Sequence, residues 1–176
     1  MNIGVELATA RLRLRPCTTH DLDNLLHLWT DPEVRRYLFD DRVISREEAE
    51  TRLRGGLASF HTHGFGLWLA YRPGEAATVG FCALSLTGDP PEVELLYGIA
   101  PSAWGQGLAT EAARAVLRHG FVELGLTRIV AGADVPNVAS LRVLEKLGMT
   151  FTHRMRTEYG EVKYFALTRA AFLDRE

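Results

Sequence analysis

The stretch over residues 93–112 constrains this chain more than any other, because it predicts a strand, a short connection and a long helix in direct succession. Residues 93–99 form an apolar run of strand length that is rich in Val, Leu, Tyr and Ile. Helical spacing of apolar residues begins at Leu108, with charged residues on the opposite side. Gly105 and Gly107 lie between the two elements. The first N–H groups of a helix have no partner within it, so bare backbone at this point is suited to bind an anion such as phosphate.

Two interpretations of this connection follow from its residues alone. Its glycine pair lacks the third glycine of a dinucleotide-binding fingerprint, since Thr110 occupies that position, and no Gly-Lys-Ser/Thr of a P-loop follows. The glycines therefore either open a phosphate site or serve only the backbone angles of a tight turn. The stretch by itself does not decide between the two.

Composition predicts a single globular domain over residues 1–176, because this length supports one substantial core and is short for two. The net charge of −2 does not indicate a basic surface of the kind that binds nucleic acid. We find neither a signal-peptide pattern nor an apolar run near the roughly 20 residues that span a bilayer. Cys17 and Cys82 are isolated, which argues against a disulfide framework or a zinc site and fits a reducing cytoplasm.

The remaining patterns predict helices interleaved with strands, and hence an α/β sheet of mixed direction. A capping box of Ser45 and Glu48 opens a helix that we expect to end near Ser59, and Asn137 and Gly148 are placed to cap another helix at its two ends. The helix from Leu108 is expected to end near residue 119 or 123. The predicted strands cover residues 11–15, 65–71, 79–86, 93–99, 128–132, 151–155 and 162–167.

His61 and His63 are expected in a loop after the helix that starts at Ser45. Two histidines one residue apart are potential metal ligands, but no third ligand is near them in the sequence. We therefore favour solvated loop histidines and predict no metal site.

Two blocks resemble the GNAT superfamily of N-acetyltransferases, and more narrowly its RimJ/RimL-like group. Trp-Gly-Gln-Gly-Leu-Ala-Thr-Glu-Ala resembles the acetyl-CoA loop, whose pattern is Gln/Arg-x-x-Gly-x-Gly/Ala. Gly107 and Ala109 match its last two fixed positions, and Trp104 replaces Gln/Arg, as is common in the narrower group. Asn-x-x-Ser-x-Arg-Val-Leu-Glu-Lys-Leu-Gly, at residues 137–148, is similar to the second block and follows in the usual order. The resemblance extends over essentially the whole chain.

The resemblance implies a GNAT-like α/β fold, with a mixed central sheet of about seven strands flanked by about four helices. It also implies transfer of an acetyl group from acetyl-CoA, as co-substrate, to a primary amine by direct attack in a ternary complex. The acceptor would be a protein N-terminal α-amino group or a small-molecule amine. Relatives occur as paired subunits, so a homodimer is possible, whereas neither a nucleic acid nor a membrane is expected as a partner.

The resemblance further implies a cofactor site. Residues 105–110 would give N–H groups to the pyrophosphate, and residues 97–99 would pair with the pantetheine arm as a strand edge from which residues 128–132 splay away. Trp104 would pack on the loop, against the cofactor, or in the core. The residues expected at the cofactor are Tyr97, Gly98, Ile99, Trp104, Gly105, Gln106, Gly107, Leu108, Ala109, Thr110, Asn137 and Ser140.

Glu94 is the candidate base that takes the proton of the attacking amine, directly or through a water molecule. The alternative is an edge carboxylate paired with Arg or Lys, and Glu92 would replace Glu94 if the register were shifted by two residues. A backbone N–H near residues 96–98 is expected to stabilise the oxyanion.

A tyrosine that protonates the thiolate in many GNAT enzymes is replaced here by Leu144. The resemblance to the RimJ/RimL-like group assigns the contact with the CoA sulfur to Ser140, although a serine near a helix start also commonly satisfies helix-end N–H groups. The loss of the tyrosine keeps a second hypothesis open, namely a non-enzymatic acyl-CoA-binding module. A nucleotide-binding protein is a third and less favoured one.

Three further polar residues were considered for the acceptor side. His119 is expected to be a helix-face residue without a catalytic role. His153 and Tyr164, on the last two predicted strands, are candidates to line the acceptor pocket. Composition does not indicate which amine is the acceptor.

Overall fold

The computed structural model describes residues 4–176 and contains one eight-stranded sheet with the strand order β1-β2-β3-β4-β5-β6-β8-β7. The strands are β1 Leu7–Ala8, β2 Arg13–Pro16, β3 Leu67–Tyr71, β4 Thr78–Thr87, β5 Glu92–Ile99, β6 Arg128–Asp134, β7 Thr150–Thr157 and β8 Gly160–Thr168. The helices are α1 Leu22–Thr30, α2 Pro32–Leu38, α3 Arg46–His63, α4 Leu108–Arg118, α5 Val138–Lys146 and α6 Arg169–Leu173. The α/β class and the mixed sheet are thus confirmed. No helix of the described chain is long and apolar enough to cross a membrane.

The sheet changes direction at its centre. Strands β1 to β5 pair antiparallel, β5 and β6 run parallel, and β6, β8 and β7 are again antiparallel. Between β5 and β6 the register holds a single residue pair, Glu94 with Val130, whereas β4 and β5 pair over eight residues. The two parallel strands therefore separate beyond Glu94 and leave a gap in the middle of the sheet.

Each face of the sheet is covered by its own helical layer, because side chains alternate along the strands. In β3, Trp68 and Ala70 pack into the core beneath α4, whereas Leu67 and Leu69 pack with α1, α2 and α3 on the other face. The same alternation in β5 places Leu95 in the α4 core and leaves Glu94 and Leu96 on the face of α1 to α3. Glu94 thus lies on the face opposite α4.

The predicted end of α3 was wrong. The helix continues through His61 to His63 and ends at Gly64, which adopts φ 76°. A helix interior tolerates glycine at a cost of about 1 kcal/mol, and tertiary packing compensates here. Gly56 lies so close to β3 that a Cβ atom on it would be 2.9 Å from Leu67 Cβ. The two histidines are therefore helical, not loop residues, and His63 stacks on Phe65 with ring centroids 5.4 Å apart. Among residues 4–176, no group of three or more His, Cys, Asp or Glu side chains is arranged to hold a metal ion.

Candidate active site

The gap between β5 and β6 exposes the strand segment that was expected to meet the pantetheine arm. Tyr97, Gly98 and Ile99 pair with β4 on one edge, while on the β6 side the pairing within residues 4–176 ends at Glu94. Gly98 is required by packing, because a Cβ atom there would lie 2.5 Å from the ring of Phe81. The edge of β5 at residues 97–99 is therefore not paired with β6 and faces the gap, where Ile99 O accepts a hydrogen bond from Trp104 Nε1.

The start of α4 provides the anion-binding geometry. Gly105 and Gly107 adopt φ 73° and 75°, a left-handed conformation that favours glycine. The first bond of the helix runs from Glu111 N to Gly107 O at 3.1 Å, so the amides of residues 108–110 lie ahead of it at the positive end of the helix. The two interpretations of this turn are therefore compatible, since the turn that requires glycine directly precedes the amides that the helix leaves unpaired.

Two arginines that sequence reasoning did not assign to the site hold the loop in place. The guanidinium of Arg11 donates to Gln106 O at 2.9 Å and to Glu111 Oε2 at 2.7 Å, and that of Arg72 donates to Gln106 Oε1. Although burial opposes it, hydrogen bonds from Thr9 and Arg11 keep the pKa of Glu111 below its usual value. The basic face of the alternating segment 11–15 was the available sequence signal for Arg11.

Trp104 joins the end of β5 to the same loop. Its Nε1–H donates to Ile99 O at 2.7 Å, and the residue remains 48% exposed. The side chain is thus packed on the loop and not anchored in the core, which rules out one of the three interpretations of this tryptophan.

Glu94 and Glu92 differ sharply in their surroundings. Glu92 is exposed and forms a salt bridge with Arg128. Glu94 lines a cavity of about 670 Å³, and no Arg or Lys of residues 4–176 forms a salt bridge with it. Burial raises the pKa of the Glu94 carboxyl above its ordinary value. Glu92 is thus the edge carboxylate that pairs with an arginine, and Glu94 is the carboxylate that faces the cavity.

Ser140 and Tyr97 form a contact that the sequence did not reveal. The Tyr97 hydroxyl lies 2.7 Å from Ser140 Oγ, a contact in which either oxygen can be the donor, and 3.3 Å from Ser140 O, to which it can donate instead. Burial raises the pKa of the Tyr97 phenol. Asn137 caps α5 as predicted, because its Oδ1 accepts from Ser140 N at 3.1 Å. It is therefore Asn137, not Ser140, whose side chain satisfies the helix-end N–H, and Ser140 Oγ is bonded to the tyrosine instead.

The other residues considered from the sequence lie in the core or outside the cavity wall. Leu144 is 1% exposed and belongs to the core. His119 is buried rather than on an open helix face, with its Nε2 3.0 Å from Gly64 O. His153 stacks on Tyr164 with ring centroids 4.8 Å apart, and neither residue is part of the cavity wall. Burial and the charges of Glu94 and Asp134 raise the pKa of the Tyr164 phenol.

These observations define a class of protein. A mixed sheet opens between two parallel strands, a helix start with amides that the helix leaves unpaired stands beside the opening, and an unpaired carboxylate faces a cavity next to it. This combination of fold and site is that of a coenzyme A-dependent acetyltransferase.

Comparison with known proteins gives the family. The family model for the acetyltransferase (GNAT) domain matches residues 11–150, and the chain belongs to the GNAT acetyltransferase family. The FsC-acetyl coenzyme A-N(2)-transacetylase of Aspergillus fumigatus is 30% identical over 95% of this chain and 77% of that protein.

Two solved structures illustrate how widely the fold is shared. A GNAT-family acetyltransferase from Bacillus anthracis superimposes with a TM-score of 0.80 over 94% of this chain and 99% of that one, at 23% identity. The RimL ribosomal L7/L12 alpha-N-protein acetyltransferase in complex with coenzyme A gives a TM-score of 0.79 over 95% and 99% of the two chains, at 19% identity.

Proposed function

We propose that this protein transfers the acetyl group of acetyl-CoA to a primary amine by direct attack within a ternary complex. The observation that carries the proposal is the Glu94 carboxylate, which lines the cavity without a salt-bridge partner in the described chain and lies where β5 and β6 separate. A carboxylate in that position is available to take a proton from an amine that approaches the gap.

The residues around the gap fit the donor. The amides of residues 108–110 suit a diphosphate, because N–H groups and the helix dipole both favour negative charge there. The free edge at residues 97–99 suits the amides of a pantetheine arm, which pair with a strand as another strand would. The Arg11 guanidinium lies beside Gly107, at this end of the site, and is held there by its salt bridge with Glu111.

The reaction itself makes three demands on the protein. The amine nitrogen forms a bond to the thioester carbonyl carbon while Glu94 accepts its proton, directly or through water. The oxyanion that develops is stabilised by a backbone N–H near residues 96–98. The carbon–sulfur bond then breaks, and the leaving thiolate takes a proton. Ser140 is proposed as the contact to that sulfur, with Tyr97 held against the serine oxygen at 2.7 Å.

Two of the compared proteins support an amine acceptor by their names, one an N(2)-transacetylase and the other an alpha-N-protein acetyltransferase. We extend the proposal to a RimJ/RimL-like enzyme of the cytoplasm, in which the buried thiols of Cys17 and Cys82 stay reduced. A homodimer is part of the same proposal.

The test is to record free thiol release from acetyl-CoA with a panel of amines and N-terminal peptides. Glu94→Gln is expected to lower kcat/KM by about 10²–10⁴-fold, the usual contribution of a positioned base. The matched control is Glu92→Gln, two residues away on the same strand, which should leave the rate unchanged. Equal rates for Glu94→Gln and the unmodified protein at every pH would remove Glu94 from the role.

The same measurement as a function of pH has a definite sign. Because Glu94 works as a carboxylate, kcat/KM rises with pH through its pKa, and burial moves that rise above the ordinary carboxyl value of about 4.3. The Glu94→Gln variant should lose this acid limb, while the limb that reports deprotonation of the amine remains.

A second candidate function is a non-enzymatic acyl-CoA-binding module, which the buried Leu144 favours because it leaves α5 without a tyrosine acid. Tight acetyl-CoA binding by calorimetry without thiol release on any acceptor would support this alternative.

A further inference from the structure

The cavity beside Glu94 indicates what kind of amine the site accepts. Building on the proposed function, we infer that the preferred acceptor is a primary monoamine carried on a bulky apolar body, and not a polyamine. A volume of about 670 Å³ is in the range of pockets that enclose a small organic molecule.

The cavity wall is apolar where α1, α2 and the sheet form it, whereas α3 contributes the polar side chains of Arg52, Ser59, Thr62 and His63. Helices α1 and α2 and the residue after them contribute Trp29, Leu38 and Phe39, and strands β4 and β5 contribute Phe81 and Leu96. The Trp29 ring packs edge to face on Phe39 and on Phe81, with centroids 5.9 Å apart in both cases. An aromatic wall that is buttressed in this way keeps its shape, so it selects for a body that fills it.

Helix α3 sets the depth of the cavity through two adjacent glycines. Gly56 and Gly66 let α3 approach the start of β3 closely, because a Cβ atom on Gly66, the residue before β3, would lie 2.2 Å from Gly56 O. Gly55 lines the cavity, and a Cβ atom on it would meet nothing within 4 Å. The absence of a side chain at Gly55 therefore leaves room that a larger acceptor can occupy.

The charged side chains of the cavity wall can pair with one cation. Within the described chain, the Asp, Glu, Lys and Arg side chains that line the cavity are Glu94 and Arg52. The Arg52 guanidinium lies 4.9 Å from the centroid of the Phe39 ring and donates to Glu48 at 3.0 Å. A first ammonium group can pair with Glu94, but a second one would find no further carboxylate in the described wall, whose other polar side chains are Arg52, Ser59, Thr62, His63 and Ser85. Burying a cation without a partner is costly, so polyamines are disfavoured.

Steady-state thiol release with acetyl-CoA tests the inference. The acceptors are 2-phenylethylamine, ethylamine and spermidine, together with two short peptides that begin with Phe or with Ser. We expect kcat/KM for 2-phenylethylamine to exceed that for ethylamine and for spermidine by about tenfold or more, because burial of an apolar group discriminates on this scale. If the acceptor is a protein N-terminus, the peptide with Phe will exceed both the peptide with Ser and the free monoamine.

The variant that locates the effect is Gly55→Leu, which should lower kcat/KM for the bulky acceptor about tenfold or more and leave ethylamine within about twofold. The matched control is Arg54→Leu, which introduces the same side chain at the adjacent, exposed position of α3. Ser59→Leu, also in the cavity wall, provides a second variant in case Gly55→Leu fails to fold, as judged by its melting temperature.

The outcomes separate this inference from the proposed function. Turnover that is best with spermidine or ethylamine, or a Gly55→Leu variant that affects all acceptors equally, overturns the acceptor class and leaves acetyl transfer intact. The lack of thiol release with any acceptor overturns both.

Discussion

At the scale of single residues, the site depends on which polar groups have partners and which do not. Glu92 and Glu94 are two residues apart on one strand, yet only Glu92 forms a salt bridge, with Arg128. Ser140 is oriented by Tyr97 at 2.7 Å and not by the helix start. The chain thus has a phenol beside Ser140 that comes from β5, whereas α5 carries the buried Leu144.

Tyr97 is expected to act through Ser140 as a positioning residue. When the phenol donates to Ser140 Oγ, the serine keeps its own proton for another acceptor, here the leaving sulfur. Tyr97→Phe should lower kcat by about 3- to 10-fold, the value of one hydrogen bond of roughly 1 kcal/mol, and leave the KM for acetyl-CoA nearly unchanged.

A double-mutant cycle distinguishes this role from a structural one. In a Ser140→Ala background, the Tyr97→Phe change should have no further effect on kcat. Additive losses of kcat in the double variant would contradict the pairing. A fall in the melting temperature of Tyr97→Phe that accounts for its lower rate would contradict it as well.

At the scale of elements, the junction of β5 and α4 illustrates how one turn serves both folding and binding. Gly105 needs its glycine for a backbone angle of φ 73° and not for space, because a Cβ atom there would meet nothing within 4 Å. Gly74, in the turn between β3 and β4, has the same two properties, with φ 81° and open surroundings. The two positions differ in that Gly105 borders the amides at the start of α4.

This pair permits a matched comparison. Alanine at either position should cost a similar stability, of the order of 1 kcal/mol, because both variants force a left-handed angle on a residue with a side chain. Only Gly105→Ala should also weaken acetyl-CoA binding measured by calorimetry, by about tenfold if one or two amide contacts to the diphosphate are lost. Equal affinities in the two variants would mean that the turn has a structural role alone.

At the scale of the whole molecule, the sheet consists of two antiparallel halves that meet at one parallel residue pair. The α4 layer and the α1–α3 layer lie on opposite faces, so donor and acceptor can approach the gap from different sides. Glu94 lies where the two strands part and lines the cavity on the α1–α3 side.

Binding of coenzyme A should stabilise the molecule where the halves separate. At a ligand concentration of 100 Kd the free energy of unfolding increases by about 2.7 kcal/mol, which corresponds to a melting temperature about 5–10 °C higher for a chain of this size. Hydrogen exchange should slow in a peptide that covers residues 97–99, because the free strand edge becomes paired. The β2–β3 region serves as the internal reference, and a complex without new protection at residues 97–99 would contradict the proposed docking of the pantetheine arm.

Much of this architecture could be predicted from local patterns. Apolar runs of strand length predicted the strands β3, β4 and β5, and helical spacing of apolar residues predicted the helix α4, because these patterns directly reflect which residues are buried. The caps at Asn137 and Gly148 were also predicted, since each depends on one residue and its immediate neighbours. The predicted end of α3 fell short of the observed one because the residue that closes the helix is Gly64, which adopts a left-handed φ of 76° and donates its N–H to Phe60 O.

The sequence by itself determined the order of elements, the glycine turn before α4 and the two motif blocks, because these depend on residues close together in the chain. Tertiary structure alone decided that Glu94 and not Glu92 faces the cavity, that Tyr97 meets Ser140, and that Arg11 and Arg72 hold Gln106. Each of these contacts joins segments that are 34 to 95 residues apart or depends on which strand pairs with which. The physical reason is that strand pairing and packing bring such residues together, and no local pattern encodes their distance.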